Sequence, residues 1–235
     1  MTADSQSPFK LPIAVLVSGN GSNLQAIIDA STDHSTLLPV DIRVVISNRK
    51  DAYALQRAQK AHIPTAVISN DDYCSREQYD AALQAKLDQY QPGLIVLAGF
   101  LRILSDKFVT HNQGRIINIH PSLLPKYRGL NTHQRAIDAG DIFHGASVHY
   151  VTPKLDEGPV IVQAQVPIFN NDTAKTLANR VHQAEHLIYP LALGWIAKSR
   201  LQWKQDGIYF DSQLQKWPIN FRLDVTNNTL LPEQG

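Results

Sequence analysis

The chain has 235 residues, 43% hydrophobic and 18% charged, which is the composition of a folded globular protein and not of a disordered segment. Its 22 basic and 21 acidic side chains leave a formal charge of +1, so there is no broad basic footprint for nucleic acid or for an anionic membrane. A single cysteine, Cys74, excludes an internal disulfide and a thiolate metal cluster. No stretch approaches 18 consecutive apolar residues, and the polar segment 1–10 lacks the apolar core of a signal peptide, so a reducing, cytoplasmic setting is expected.

Residues 1–10 read as a loose tail. Residues 11–17 (LPIAVLV) form a continuous apolar run, the pattern of a strand buried on both faces of a parallel sheet. The turn Ser18-Gly19-Asn20-Gly21-Ser22-Asn23 follows, then helical spacing over 24–30. Residues 41–47 (DIRVVIS) predict a second strand, 51–61 a helix ended before Pro64, and 65–68 a short third strand. Over 75–90, Tyr79, Ala82, Leu83 and Leu87 make a helical stripe that Pro92-Gly93 stops. Residues 94–98 (LIVLA) and 115–119 (RIINI) are further buried strands. Strands alternating with helices at these intervals predict a doubly wound α/β fold around a mostly parallel sheet.

The second half changes character. Residues 120–128 form a proline-punctuated loop, 131–139 a short helix and 145–151 (GASVHYV) an alternating strand. Beyond the polar loop 152–158, residues 159–166 predict another strand, so these two are expected to pair as an antiparallel extension. Asp172 or Thr173 caps a long helix to about residue 197, with Leu177, Val181, Ala184, Ile188, Leu191 and Trp195 on one face. Short strands are expected near 201–203 and 208–210. One domain over 11–212 is expected, followed by an irregular tail at 213–235.

Three segments carry candidate chemistry. Backbone N–H groups and the helix dipole after Ser18–Asn23 suit a phosphate, with Ser22 as the expected N-cap. A third glycine of the dinucleotide fingerprint is replaced by Leu24, which favours a monophosphate over a dinucleotide. Asn118 and His120 are alternate residues at a strand end, so an amide donor and an imidazole leave by one face and can together stabilise an oxyanion. The loop 152–158 (TPKLDEG) brings Asp156 and Glu157, either as a solvated turn or with Asp156 as the carboxylate that orients the imidazole. On the long helix, His182-Gln183-Ala184-Glu185-His186 matches H-x-x-E-H, but only the scattered Asp206, Asp211, Asp224 and Glu233 follow as a third zinc ligand, and an ordinary helix rim explains the match. No metal is expected.

The segments AVLVSGNGSNLQAIID, LIVLAGFLRILS, RIINIHPSLLPKYRGLNTHQRAI, GASVHYVTPKLDEGPVIVQAQVPI and AEHLIYPL occur in order from about residue 12 to about 210. Together they resemble the phosphoribosylglycinamide formyltransferases. The motif Asn-x-His-Pro-Ser-Leu-Leu-Pro with the later Asp-x-Gly-Pro marks the wider 10-formyltetrahydrofolate enzymes, and SGNGSN narrows the resemblance to this branch. It implies a Rossmann-like fold and transfer of a formyl group from 10-formyltetrahydrofolate, as co-substrate, to the amine of phosphoribosylglycinamide in purine synthesis. Formyltetrahydrofolate deformylase is the alternative. By the resemblance, Asn118, His120 and Asp156 match the catalytic trio. Gly21, Ser22 and Asn23 match the phosphate-binding turn, and Glu185 a contact to the glycinamide end, which gives the H-x-x-E-H match a non-metal explanation. Arg76, Leu101, Arg102, Ile103 and Leu104 match folate contacts, as do Asn118 and the pterin loop Thr152, Pro153, Lys154, Leu155 and Asp156. Small-molecule substrates and a monomer or weak homodimer are implied. Arg128 and Glu157 depart from the commoner residues of the family beside the site.

Overall fold

The computed structural model describes residues 10–33, 38–216 and 218–233; most of the expected N-terminal tail lies outside them. The apolar runs become β1 (Leu11–Val17), β2 (Val40–Ser47), β3 (Thr65–Val67), β4 (Leu94–Leu97) and β5 (Ile116–His120), all parallel to their neighbours among these five. Between them run α1 (Ser22–Thr32), α2 (Tyr53–Lys60), α3 (Arg76–Tyr90) and α4 (Asp106–His111). The short α4 has no counterpart in the sequence reading; its Ser105 cap accepts from the Phe108 N–H. After α5 (Thr132–Asp138), β6 (Phe143–Tyr150) and β7 (Val160–Pro167) add to the sheet antiparallel, as the alternating pattern predicts. The long α6 (Ala174–Ala197) is capped by Thr173, whose side chain exchanges hydrogen bonds with Thr176 in a capping box.

Strand order in the large sheet is β3-β2-β1-β4-β5-β6-β7, extended by two further strands described below. The chain leaves β1 toward β2 and β3, then crosses back to place β4 on the other side of β1. That reversal opens a crevice beyond the carboxyl ends of β1 and β4, where open α/β sheets bind ligands. Alternation along each strand feeds two apolar layers. Leu24, Ile27, Ala54 and Ala58 of α1 and α2 join Leu177, Val181 and Ile188 of α6 over Val15, Val96, Ile117 and Ile119. Tyr79, Leu83, Leu87 and Phe108 of α3 and α4 cover Leu16, Ile95, Leu97 and Ile116 on the opposite face. Burying each such aliphatic side chain contributes about 1.5–3 kcal/mol. Tyr189 of α6 donates its hydroxyl to the Leu97 carbonyl at 2.9 Å, seating the helix on β4.

The C-terminal segment departs from the expected irregular tail. β8 (Leu201–Lys204), β9 (Gly207–Phe210) and β10 (Gln213–Leu214) form a small antiparallel sheet, which includes the two short strands expected there. β11 (Ile219–Asp224) then pairs in parallel with β7, and β12 (Thr229–Pro232) pairs antiparallel with β11. The sequence INFRLD alternates apolar and polar residues at the strand period, which accounts for a strand where an irregular tail is expected. The turn that follows is tied by the Asp224 carboxylate, which accepts from the Thr226 and Asn227 N–H groups.

Candidate active site

The turn after β1 is shaped by a close approach. Gly21 has φ +76°, and a Cβ there would sit 2.5 Å from the Ala54 Cβ of α2. Glycine is therefore required by both conformation and space. Gly21, and not Ser22 as expected, is the N-cap, without a side-chain cap bond; Ser22 is the first helical residue. Among the described residues the opening N–H groups of α1 thus have no partner and stay open to an anion. Arg57 of α2, absent from the sequence reading, leans over this turn. Its Nε donates to the Asn20 carbonyl at 2.9 Å and its Nη2 to Asn20 Oδ1 at 3.0 Å, which puts a cation beside the same N–H groups. Asn23 is buried and donates Nδ2 to Glu185 Oε2 at 2.7 Å, joining the first helix to the last. Burial raises the Glu185 carboxyl above its ordinary range, with the Asn23 bond opposing.

The segment after β4 is fastened to that turn, because Ser18 Oγ accepts from the Leu101 N–H at 2.8 Å. Leu101 and Ile103 are exposed, while Leu104 turns into the core. The Arg102 side chain also turns away: its guanidinium lies 4.0 Å from the Tyr79 ring centre and donates to Asn70 Oδ1. Arg102 and Leu104 therefore offer backbone, and not side chains, to anything bound beside this segment. Arg76 is exposed at the first position of α3, and the described residues give it no hydrogen bond or ion pair to the rest of the set.

Asn118 and His120 leave β5 by one face, since Ile117 and Ile119 point into the α1–α6 layer. Asp156 reaches them by a return path. Tyr150, the last residue of β6, pairs with Ile117, so the following loop must fold back along the sheet. Gly158 permits this, because a Cβ there would lie 1.7 Å from the Tyr150 carbonyl oxygen. The result is a buried pair, with His120 Nδ1 3.5 Å from Asp156 Oδ2 and both side chains less than 10% exposed. The same carboxylate oxygen accepts from the Gly129 N–H at 2.9 Å. His120 Nε2 lies 2.9 Å from the Tyr127 carbonyl, which only accepts, so Nε2 carries a proton. Asp156 adopts φ 51°, a left-handed conformation that aspartate tolerates.

The loop 121–128 that supplies the Tyr127 carbonyl is itself held. Ser147 Oγ donates to the Ser122 carbonyl at 2.6 Å and accepts from the Leu124 N–H, and the Leu124–Pro125 peptide is cis. Tyr127 and Lys126 both donate to Asp141. Arg128 and Glu157, the two departures from the family pattern, form an ion pair with each other across the two loops. The loop 152–158 is otherwise exposed at Pro153, Lys154 and Leu155, with Thr152 Oγ1 donating to the Lys154 carbonyl. His149, which no sequence motif singles out, stands on β6 opposite Asn118 of β5, with its Nε2 3.2 Å from Asn118 Nδ2. Burial pushes its ring down to about 4.

Residues 11–193 match the family described as formyl transferase. The chain belongs to this family. It is 50% identical over 201 residues to phosphoribosylglycinamide formyltransferase of Escherichia coli, spanning 86% of this chain and 94% of that one. It is 42% identical over 198 residues to the trifunctional purine biosynthetic protein adenosine-3 of Homo sapiens, spanning 84% of this chain and 19% of that protein. Among solved structures, phosphoribosylglycinamide formyltransferase of Coxiella burnetii superposes with a TM-score of 0.82 at 54% identity, covering 87% of this chain and 95% of that one. The H-x-x-E-H residues do not converge in this formyl transferase. Glu185 turns inward to Asn23, while His182 and His186 stack with ring centres 6.4 Å apart. Among the described residues no group of three or more His, Cys, Asp or Glu is arranged to hold a metal, and no helix is long and apolar enough to cross a membrane.

Proposed function

We infer that this chain transfers a formyl group from 10-formyltetrahydrofolate to the amine of phosphoribosylglycinamide, a step of purine synthesis, acting in the cytoplasm on small molecules as a monomer or weak homodimer. The observation that carries this reading is the buried Asp156–His120 pair beside Asn118 at the end of β5. It stands in a chain half identical to the enzyme of that name from Escherichia coli. The free N–H groups of α1 with Arg57 suit the phosphate end, and the Asn23–Glu185 pair suits the glycinamide end. Leu101 and Ile103 on one side of β5 and Leu155 on the other are exposed apolar side chains, 76%, 55% and 53% accessible, a setting that fits a flat pterin. Arg76, exposed at the start of α3, suits a carboxylate tail.

The formyl folate supplies an activated acyl group. Attack by the amine makes the new carbon–nitrogen bond, departure of the folate nitrogen breaks the old one, and the proton lost by the amine ends on that nitrogen. The residues bind, align and stabilise charge, and holding two large substrates in register accounts for much of the rate. Asn118 donates an N–H to the oxygen that becomes negative. His120, protonated opposite Asp156, places a positive charge beside it. With Nε2 on the Tyr127 carbonyl and Nδ1 on Asp156, the ring acts through its charge in this geometry, and direct donation requires Nε2–H to exchange the Tyr127 oxygen for the substrate's. No side chain here forms a covalent intermediate.

Absorbance-monitored turnover of 10-formyltetrahydrofolate by the purified protein, with and without phosphoribosylglycinamide, tests this. Release of tetrahydrofolate only when the ribonucleotide is present is the expected result. Equal release without it makes the chain a deformylase, and no release in either case overturns the reading.

A further inference from the structure

The orientation of the Asn118 amide is decided from outside the trio. His149 stands opposite Asn118 in the antiparallel β5–β6 pairing and is 2% exposed. Its Nδ1 lies 2.9 Å from the Tyr150 carbonyl oxygen, which has nothing to donate, so the ring proton sits on Nδ1. Nε2 is then a bare acceptor facing Asn118 Nδ2 at 3.2 Å. Burial keeps the ring neutral, so this role does not change near neutral pH. An amide turned the other way would set its own oxygen against that lone pair. Asp156 Oδ1, 3.8 Å from the same nitrogen, adds a second acceptor on that side and also favours the amide NH2 there. The backbone aims the ring as well: the β6–β7 register slips between Val148 and His149, an irregularity of the kind that redirects side chains beside sites.

We propose that His149 is a positioning residue that, as an uncharged hydrogen-bond acceptor, holds one N–H of the Asn118 amide and so leaves the other directed at the formyl oxygen. The proposal rests on the formyl-transfer reading above. The Asn118 side chain has no other hydrogen-bond partner among the described residues, so without His149 its amide is free to rotate between donor and acceptor presentations.

Two substitutions separate acceptor from bulk. His149→Phe keeps a ring and removes the acceptor; His149→Gln offers an amide oxygen at the same reach. His149→Phe is expected to lower kcat by roughly 10- to 100-fold with both KM values within about threefold, the signature of a contact that matters at the transition state. His149→Gln recovers most of that loss. In an Asn118→Ala background, His149→Phe costs less than about twofold more, because its effect runs through Asn118. A full additional loss in that background, a Gln variant as poor as Phe, or a change confined to KM overturns the proposal. Side-chain amide NMR reads the contact without catalysis: one Asn118 Hδ2 proton is shifted and protected in the wild type and His149→Gln and is neither in His149→Phe. Identical Asn118 amide signals in all three refute the role of His149 even if turnover is normal, whereas a wild type that transfers no formyl group counts against the formyl-transfer reading alone.

Discussion

Replacing Asp156 by asparagine removes one charge and leaves nearly every other atom in place. The amide oxygen of the substituted side chain still accepts from the Gly129 N–H that now bonds Asp156 Oδ2, so the loop keeps its anchor. That same oxygen position faces His120 Nδ1, so the ring keeps an acceptor there but an uncharged one, and the new NH2 takes the place of Oδ1, 3.8 Å from His149 Nε2. With Nε2 donating to the Tyr127 carbonyl and a neutral amide oxygen opposite Nδ1, a positive charge on the ring loses its counter-charge. At the observed 3.5 Å separation, a unit ion pair with an effective dielectric constant of about 20 is worth roughly 4–5 kcal/mol. The replacement hydrogen bond returns about 1 kcal/mol. The remainder corresponds to a loss of about 10²–10³ in kcat. Steady-state transfer from 10-formyltetrahydrofolate to phosphoribosylglycinamide measures it, with thermal unfolding as the folding control. Activity within threefold of wild type would show that the charge on Asp156 is not what His120 uses.

Gly21→Ala combines a left-handed φ of +76° with a Cβ 2.5 Å from Ala54, so a cost of about 2–4 kcal/mol is expected, read as a lower Tm, together with a raised KM for the ribonucleotide and folate binding changed less than about twofold; an unchanged Tm contradicts the packing argument. Glu185→Gln keeps an acceptor for Asn23 but loses the carboxylate, and should raise the ribonucleotide KM by at least about tenfold with a smaller effect on kcat; equal KM values would remove Glu185 from the substrate site. His144 is buried and held down to about 4 by desolvation, so between about pH 6.5 and 4 the unfolded chain binds the proton more readily and stability falls as pH falls, by on the order of 2 kcal/mol from this ring. Glu185, whose carboxyl burial raises, works in the opposite sense as pH falls toward its ordinary range. The comparison that isolates His144 is therefore the slope of Tm against pH in wild type and His144→Phe, which should be shallower in the variant; parallel slopes count against it.

Sequence spacing alone placed Asn118 and His120 on one face of a strand end, because strand geometry ties alternate residues to a common side. It could not bring Asp156 to them. That contact depends on a loop that folds back from the far end of β5, and on Gly158 passing where no Cβ fits. His149 was hidden for a related reason: its meeting with Asn118 is a matter of β5–β6 register, which no local pattern in GASVHYV specifies. Arg57 belongs to a different helix from the turn it covers, and an arginine on a helix rim gives no local sign that it leans inward. The tail is a different case. INFRLD alternates as a strand should, but an alternating hexamer far from other strands does not name its partner, and pairing with β7 is set by the edge the main sheet leaves open.

The Asn23–Glu185 hydrogen bond spans 162 residues of sequence and closes the first helix onto the last. The proposed catalytic trio, by contrast, lies within residues 118–156. Occupying the proposed ribonucleotide subsite would therefore couple binding to the cohesion of the whole α/β layer, since any opening that parts α1 from α6 breaks this bond. By mass action, a ligand present at 100 times its dissociation constant adds about 2.7 kcal/mol against that opening. Amide exchange should slow in both helices together when the ribonucleotide binds, so that a small polar molecule acts as a clasp between the two ends of the chain.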